Sequence, residues 1–254
     1  VTADLRLGRW EDVLADVEMV DAVITDPPYS ARTHDGHDDG AKLANKKARG
    51  HRRSDGKVDA YRPRREISYT AWTAENVEAF VASWAPRNRG WFVCLSDSEL
   101  CTPWRASFER HGLTGFQPVP CVIPGMTVRM SGDGPSSWAF YANVARPKAL
   151  HRWGTLPGAY GVGVGVNLCG SQGEREHIGG KPEWLMRALI RDYTRPGNLV
   201  CDPCAGGGTT LVAAAIEGRR AIGSEVDAAA NAKAMKRLDR GYTPDLFAAL
   251  GGAA

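Results

Sequence analysis

Two short stretches of the chain carry residue types that could do chemistry together. The first, A V I T D P P Y S at 22–30, ends an apolar run in an acid, two prolines and a tyrosine. The second, N L V C D P C A G G G T T at 198–210, passes from an apolar run into a glycine triplet. In the first, the Asp26 carboxylate and the Pro27 carbonyl can each accept one N–H of a planar amine. Such an amine is a poor nucleophile, because its lone pair is delocalised into the ring that bears it. Two acceptors bias the nitrogen toward tetrahedral geometry and aim the lone pair at an electrophile. Pro27 and Pro28 stiffen the corner and leave fewer competing backbone donors. The ring of Tyr29 offers a flat surface to a planar substrate. Taken alone, the stretch is equally well explained by Pro-Pro as a plain strand terminator.

In the second stretch, glycine permits positive φ and close approach of a ligand to backbone N–H groups. Thr209 or Thr210 can satisfy the first helical amides. No Gly-Lys-Ser/Thr follows, so this is not a phosphate-gripping P-loop, and the strict Gly-x-Gly-x-x-Gly fingerprint is absent. Glu225 stands 23 residues beyond Asp202. An acid at the end of the second strand of such a unit is placed to accept both ribose hydroxyls of an adenosine-containing cofactor. Asp202 would repel a pyrophosphate and attract a cationic amino group. S-adenosyl-L-methionine carries an amino group, a sulfonium and an adenosine, and so suits the Asp202–Glu225 pair better than NAD does. An NAD-dependent dehydrogenase is further disfavoured because no hydride-transfer constellation is evident.

The elements that must position these residues alternate. Strands are expected at 4–8, 20–25, 91–95, 119–124, 138–144, 198–201 and 221–224. Ala22, Val23 and Ile24 in succession suit a parallel strand covered on both faces. Val77, Phe80, Val81 and Trp84 predict a helix over 73–85 opened by Thr73, and further helices are expected at 101–111, 209–217 and 228–238. Another is entered through Pro182, which suits a first-turn position, while 11–18 holds a helical turn or two. Strands alternating with helices argue an open α/β sheet. It is interrupted by irregular excursions at 30–66 and 146–180.

The bulk composition, 43% hydrophobic and 24% charged, is that of an ordinary globular chain with a formal charge of +3. Charge is concentrated: Lys42 to Arg65 holds ten basic residues against Asp55 and Asp59. Such a block suits nucleic acid, or simply a solvated loop. No apolar run approaches transmembrane length, and Asp4, Glu11 and Asp12 interrupt any signal-peptide core. A cytoplasmic protein with no membrane partner is expected. Cys201 and Cys204 have C-x-x-C spacing, but no matching Cys or His cluster follows, so no metal is expected. Trp84, Trp91, Phe92 and Trp138 are read as core rather than substrate platforms.

The chain resembles the amino-group DNA methyltransferases, which transfer methyl from S-adenosyl-L-methionine to adenine N6 or cytosine N4. D P P Y at 26–29 matches the catalytic tetrapeptide letter for letter, and D P C A G G G T at 202–209 resembles the cofactor loop, with Cys204 where Phe is usual. G K P at 180–182 resembles the segment preceding that loop in permuted members. Because the catalytic corner precedes the cofactor loop, the resemblance is to the beta-class order. It puts Leu5–Gly8 in the third strand, Asp26 at the end of the fourth and Cys201 at the end of the first. The implied fold is α/β: a circularly permuted Rossmann-like methyltransferase domain over 1–254, with a mostly parallel seven-stranded sheet and helices on both faces.

The resemblance implies Asp26, Pro27, Pro28 and Tyr29 as catalytic residues. It implies cofactor contacts from Gly8, Trp10, Asp26, Lys181, Asp202, Pro203, Cys204, Ala205, Gly206, Gly208, Thr209 and Glu225. Two departures are evident: Gly8-Arg9 stands where the family commonly has Gly-Asp, and Gly179-Gly180 where Ser/Thr-Gln often precedes Lys-Pro. Trp10 is then a candidate to pack on the cofactor's adenine. Asp at the first position of the tetrapeptide favours adenine N6 over cytosine N4. An RNA amine, or a DNA-binding protein that has lost chemistry, are the alternatives. The implied partner is double-stranded DNA with its target base flipped into the pocket. A homodimer and a restriction endonuclease partner are compatible with the sequence. Region 146–180 is the expected target-recognition segment, with Arg146, Lys148 and Arg152 as DNA contacts. The insertion 30–66 adds Arg32, His34, Lys46, Lys47, Arg52 and Arg53.

Overall fold

The computed structural model describes residues 3–35, 69–123, 138–151, 153–161 and 180–241. Its strands are β1 (Ala3–Leu7), β2 (Val20–Thr25), β3 (Asn88–Ser96), β4 (Leu113–Gly115), β5 (Val119–Val122), β6 (Ala139–Pro147), β7 (Tyr160–Gly161), β8 (Leu199–Asp202) and β9 (Arg220–Glu225). The helices are α1 (Trp10–Val13), α2 (Ala74–Trp84), α3 (Ser98–Arg110), α4 (Glu183–Tyr193), α5 (Thr209–Ile216) and α6 (Ala228–Leu238), with a further helical turn at 31–35.

All nine strands form one sheet in the order β1-β9-β8-β2-β3-β6-β5-β7, with β4 also on β6. The first four places are third, second, first and fourth in the unpermuted numbering, as the beta-class order implies. Pairing is parallel from β1 through β3, while β6 runs antiparallel to β3, β4 and β5. The sheet therefore exceeds the expected seven strands by β4 and β7. These have three and two residues, too few for an alternation to register in the sequence.

Side chains alternate across the sheet as the pleat requires. Ala22, Ile24, Trp91, Val93 and Leu95 face a cluster containing Leu185, Leu189 and Ile190 of α4 and Leu211 of α5. Val23, Phe92 and Cys94 face the opposite cluster, with Val77, Phe80 and Trp84 of α2 and Trp104 and Phe108 of α3. Covering both faces explains why the central strands read as unbroken apolar runs. Helix α2 is opened by a reciprocal capping box between Thr73 and Asn76. Helix α3 begins three residues earlier than its sequence period indicates, because the Asp97 side chain accepts from Leu100 N.

The direction of β6 decides what lies at each end of the sheet. The carboxyl ends of β1, β9, β8, β2 and β3 share one rim. Since Ser96 pairs with Tyr141 and Phe92 with Ala145, the start of β6 joins that rim and its end lies at the opposite edge. Open sheets bind ligands outside the carboxyl ends of their strands, where neighbouring connections diverge. That point lies between β8, whose connection leads to β9, and β2, whose connection leads to β3.

Among the described residues no helix is long and apolar enough to cross a membrane, and no group of three His, Cys, Asp or Glu could hold a metal ion.

Candidate active site

Asp26 follows the last residue of β2 and Asp202 is the last of β8, and the two strands are neighbours. Thr25 Oγ1 donates to Asp202 Oδ1 at 2.7 Å, tying the two strand ends together, and Cys204 N donates to the same oxygen at 3.1 Å. Asp202 is buried. Burial pushes its carboxyl up to about 6 despite hydrogen bonds from Thr210, Thr25 and the Cys204 amide that pull it down. In this arrangement Asp202 is turned inward as a brace of the turn, and does not present the open charge expected for it. Ser224 Oγ donates to Pro203 O at 2.8 Å and Ala205 N to Ser224 O at 2.9 Å, so the cofactor-loop segment is laced to β9.

The glycine turn then delivers the acid at the end of β9. Gly206 N donates to Glu225 Oε2 and Asp227 N to Oε1, each at 2.7 Å. Each carboxylate oxygen keeps a lone pair for a further donor. Gly208 has φ +75°, and a Cβ there would lie 2.8 Å from the Ala234 Cβ, so both the conformation and the packing against α6 require glycine. Thr209 Oγ1 accepts from Arg237 at 3.1 Å, which turns that hydroxyl toward α6. Gly8, at φ +142°, donates its N–H to Glu225 O and closes the adjacent rim.

The D P P Y corner is anchored from α3. The Asp97 carboxylate accepts from Ser30 N at 3.0 Å, Ser30 Oγ at 2.6 Å and Thr33 Oγ1 at 2.5 Å while capping its own helix. Trp72 N donates to Tyr29 O at 2.9 Å from the other side. Pro27 is buried, and Pro28 and Tyr29 are half-buried. The Tyr29 hydroxyl is buried near the Asp26 charge but meets no partner at hydrogen-bonding geometry. Burial, reinforced by Asp26, holds it far above the usual phenol range.

Lys181, expected among cofactor contacts, reaches the Asp26 carboxylate. Its Nζ donates to Asp26 Oδ1 at 2.7 Å and Oδ2 at 2.6 Å, and lies 4.7 Å from the Tyr29 ring centre and 4.9 Å from that of Phe140. Tyr69 stands across the same opening, edge-on to the buried His34 at 5.2 Å. Its side chain is exposed in part while the hydroxyl turns inward. Burial, then the charges of Asp26 and Glu225, push that hydroxyl up to about 12. Cys204 lies among Asp202, Glu225 and Asp26, and burial first, then these three charges, raise its thiol well above the ordinary range.

The structure thus brings together Gly8, Asp26 to Tyr29, Lys181, Asp202 to Gly206, Gly208 and Glu225 along one crevice. Trp10 is half-buried and packs on Phe80 at 5.5 Å and Trp84 at 6.3 Å, toward the core. Arg32 pairs with Glu99 at 2.9 Å beside the corner. Arg146 and Lys148 are not at the crevice. They stand at or beyond the end of β6, at the opposite edge, where the Arg146 guanidinium lies over Trp91 and Phe116 at 5.9 and 5.7 Å. The antiparallel course of β6 is the reason. Lys46, Lys47, Arg52, Arg53 and Arg152 lie outside the described residues, as does most of the insertion 30–66 and residues 162–179 of the expected recognition region. Thr25, Asp97, Tyr69 and Phe140 were missed in the sequence reading. Of these only Asp97 carried a local signal, as an N-cap residue before an apolar helix.

Residues 147–236 match the model of the DNA methylase family N6_N4_Mtase. That match takes in G K P at 180–182 and D P C A G G G T at 202–209, but not D P P Y at 26–29. A segment of 54 residues is 46% identical to the candidate methylase YubD of Escherichia coli (strain K12), covering 21% of this chain and 24% of that protein. The matched stretch thus spans about a quarter of the relative's length. Among solved structures, the complex of M1.HpyAVI with SAM is similar over 93% of this chain and 100% of that one, at 19% identity and a TM-score of 0.64. TTHA0409 of Thermus thermophilus, complexed with S-adenosyl-L-methionine, is similar over 94% of each chain at 19% identity and 0.58. The cytosine-N4-specific PvuII DNA methyltransferase covers 93% of this chain and 86% of its own, at 16% identity and 0.60. These likenesses show the fold, and the family match supports the resemblance carried by D P C A G G G T.

Proposed function

We propose that this chain transfers a methyl group from S-adenosyl-L-methionine to the exocyclic N6 amine of adenine in DNA. The observation that carries the reading is the Thr25–Asp202 hydrogen bond at 2.7 Å, which opens the D P P Y corner and the glycine turn onto a single crevice. The residues present fit the cofactor. Glu225 is pinned by two backbone amides with lone pairs to spare for two ribose hydroxyls, and a side-chain atom added at Gly206 would meet nothing within 4 Å, leaving room beside the turn. When bound, the cofactor supplies an electrophilic methyl on a sulfonium.

The protein's own work is placement. Asp26 and the Pro27 carbonyl each accept a hydrogen bond from one amine N–H and turn the nitrogen lone pair toward that methyl, while Tyr29 holds the plane of a flipped base. Asp97 keeps the corner in register through Ser30 and Thr33. Excluding water strengthens the Asp26 interaction at low reorganisation cost. No strong base is required if the proton leaves after transfer.

Adenine is favoured by Asp at position 26. The structural likeness to a cytosine-N4-specific enzyme keeps cytosine N4 as the second reading. Incubation with methyl-labelled cofactor and unmodified genomic DNA, followed by nucleoside analysis, separates them. N6-methyldeoxyadenosine is the expected product, N4-methyldeoxycytidine would reassign the base, and label in RNA alone would reassign the polymer.

A further inference from the structure

The Lys181–Asp26 pair has a geometry that an ordinary surface ion pair lacks. Both partners are largely sheltered, with side chains 12% and 23% exposed. The ammonium meets both carboxylate oxygens at 2.6–2.7 Å and two aromatic rings within 5 Å. A donor nitrogen held by the Asp26 carboxylate, beside the Tyr29 ring, is also the description of a target amine poised for methylation. Carboxylate plus aromatic faces form a seat for an N–H-bearing, electron-poor nitrogen, whether ammonium or aryl amine.

We propose that Lys181 is a built-in occupant of the amine seat, and that a target base must displace its ammonium from Asp26 to become reactive. This inference rests on the methyltransferase reading above and adds a competition within the same site. Lys181 lies two residues before α4, whose buried Leu185 and Met186 anchor that stretch to the core. The occupant is therefore tethered to the scaffold and returns to Asp26 whenever the seat empties. Binding to a fractionally open site is weakened by the open fraction. If Lys181 fills the seat about nine-tenths of the time, removing it tightens base binding about tenfold. The handicap falls equally on every base, so the occupant lowers occupancy of the seat without changing the ratio of base affinities.

The experiment compares wild type, Lys181→Met and Lys181→Arg. Each is first checked for folding by circular dichroism and for S-adenosyl-L-methionine affinity by calorimetry. Binding of deoxyadenosine and deoxycytidine is then measured with S-adenosylhomocysteine present. Displacement predicts that Lys181→Met binds the target nucleoside about tenfold tighter, with a smaller change in cofactor affinity, while Lys181→Arg, which restores a cation on Asp26, stays near wild type. Nucleoside binding unchanged or weakened in a folded, cofactor-binding Lys181→Met protein overturns the displacement and leaves the methyltransferase reading standing. Cofactor affinity lost in proportion to nucleoside affinity also overturns it, since Lys181 would then serve the cofactor. Failure of wild type to bind the cofactor at all would sink both.

Discussion

Replacing Thr25 by Val removes one hydroxyl from the joint between β2 and β8 and leaves nearly the same shape. The bond it breaks, Thr25 Oγ1 to Asp202 Oδ1 at 2.7 Å, is buried. Its strength depends on the charge of the acceptor. Hydrogen bonds to charged groups contribute about 1.5–3 kcal/mol and neutral ones about 0.5–1.5 kcal/mol. Burial pushes the Asp202 carboxyl up to about 6 in the folded protein, above its value in the unfolded chain. Its ionisation therefore weakens the fold progressively as pH rises through that point, and Thr25 limits the loss by stabilising the anion. Thr25→Val should accordingly destabilise by about 1.5–3 kcal/mol near pH 8 and by about 0.5–1.5 kcal/mol near pH 5. Urea unfolding of both proteins across this range, at matched ionic strength, reads the difference. A penalty that is flat with pH, or that grows toward acid, would refute the claim that a buried ionising Asp202 is braced by Thr25.

Asp97→Ala should unmoor the D P P Y corner as well as uncap α3. The cap alone is worth about 1 kcal/mol, and calorimetry with single-turnover kinetics should show methyl transfer falling by more than cofactor affinity does. Gly208→Ala places a side chain at φ +75° and 2.8 Å from Ala234. A loss of about 1–3 kcal/mol is expected, with a lower melting temperature in thermal scans. Arg146→Ala removes a guanidinium stacked over Trp91 and Phe116 at the edge away from the crevice. It should cost about 0.5–1 kcal/mol of stability while changing DNA affinity in a filter-binding assay by less than about twofold, and a large loss of DNA binding would return that edge to the recognition surface.

The parts of this protein that are local in sequence were legible there. Apolar runs ending in Asp26 and Asp202 had to be covered central strands, glycines 206–208 had to be a turn, and Glu225 had to close the next strand. Their order along the chain gave the permuted sheet. What could not be read depends on contacts distant in the chain. Thr25 and Asp202 are 177 residues apart, and no pattern around either announces the bond. Lys181 was noticed, but only the folded chain carries it 155 positions back to Asp26. The position of Arg146, expected as a DNA contact, could not be read for a different reason. Strand direction leaves no trace in an alternating pattern, so nothing in the sequence showed that the basic end of β6 lies at the edge away from the glycine turn. Strands β4 and β7 escaped because pairing with neighbours, not their own composition, makes them strands.

The central claim is that Asp26, presented beside the glycine turn, holds the amine that receives the methyl group. Wild type and Asp26→Ala should be incubated with methyl-labelled S-adenosyl-L-methionine and unmodified genomic DNA, and the digested nucleosides analysed. The account predicts label on an exocyclic base amine with wild type, and loss of that label with Asp26→Ala while cofactor binding persists. Methylation at the wild-type rate by Asp26→Ala would contradict it.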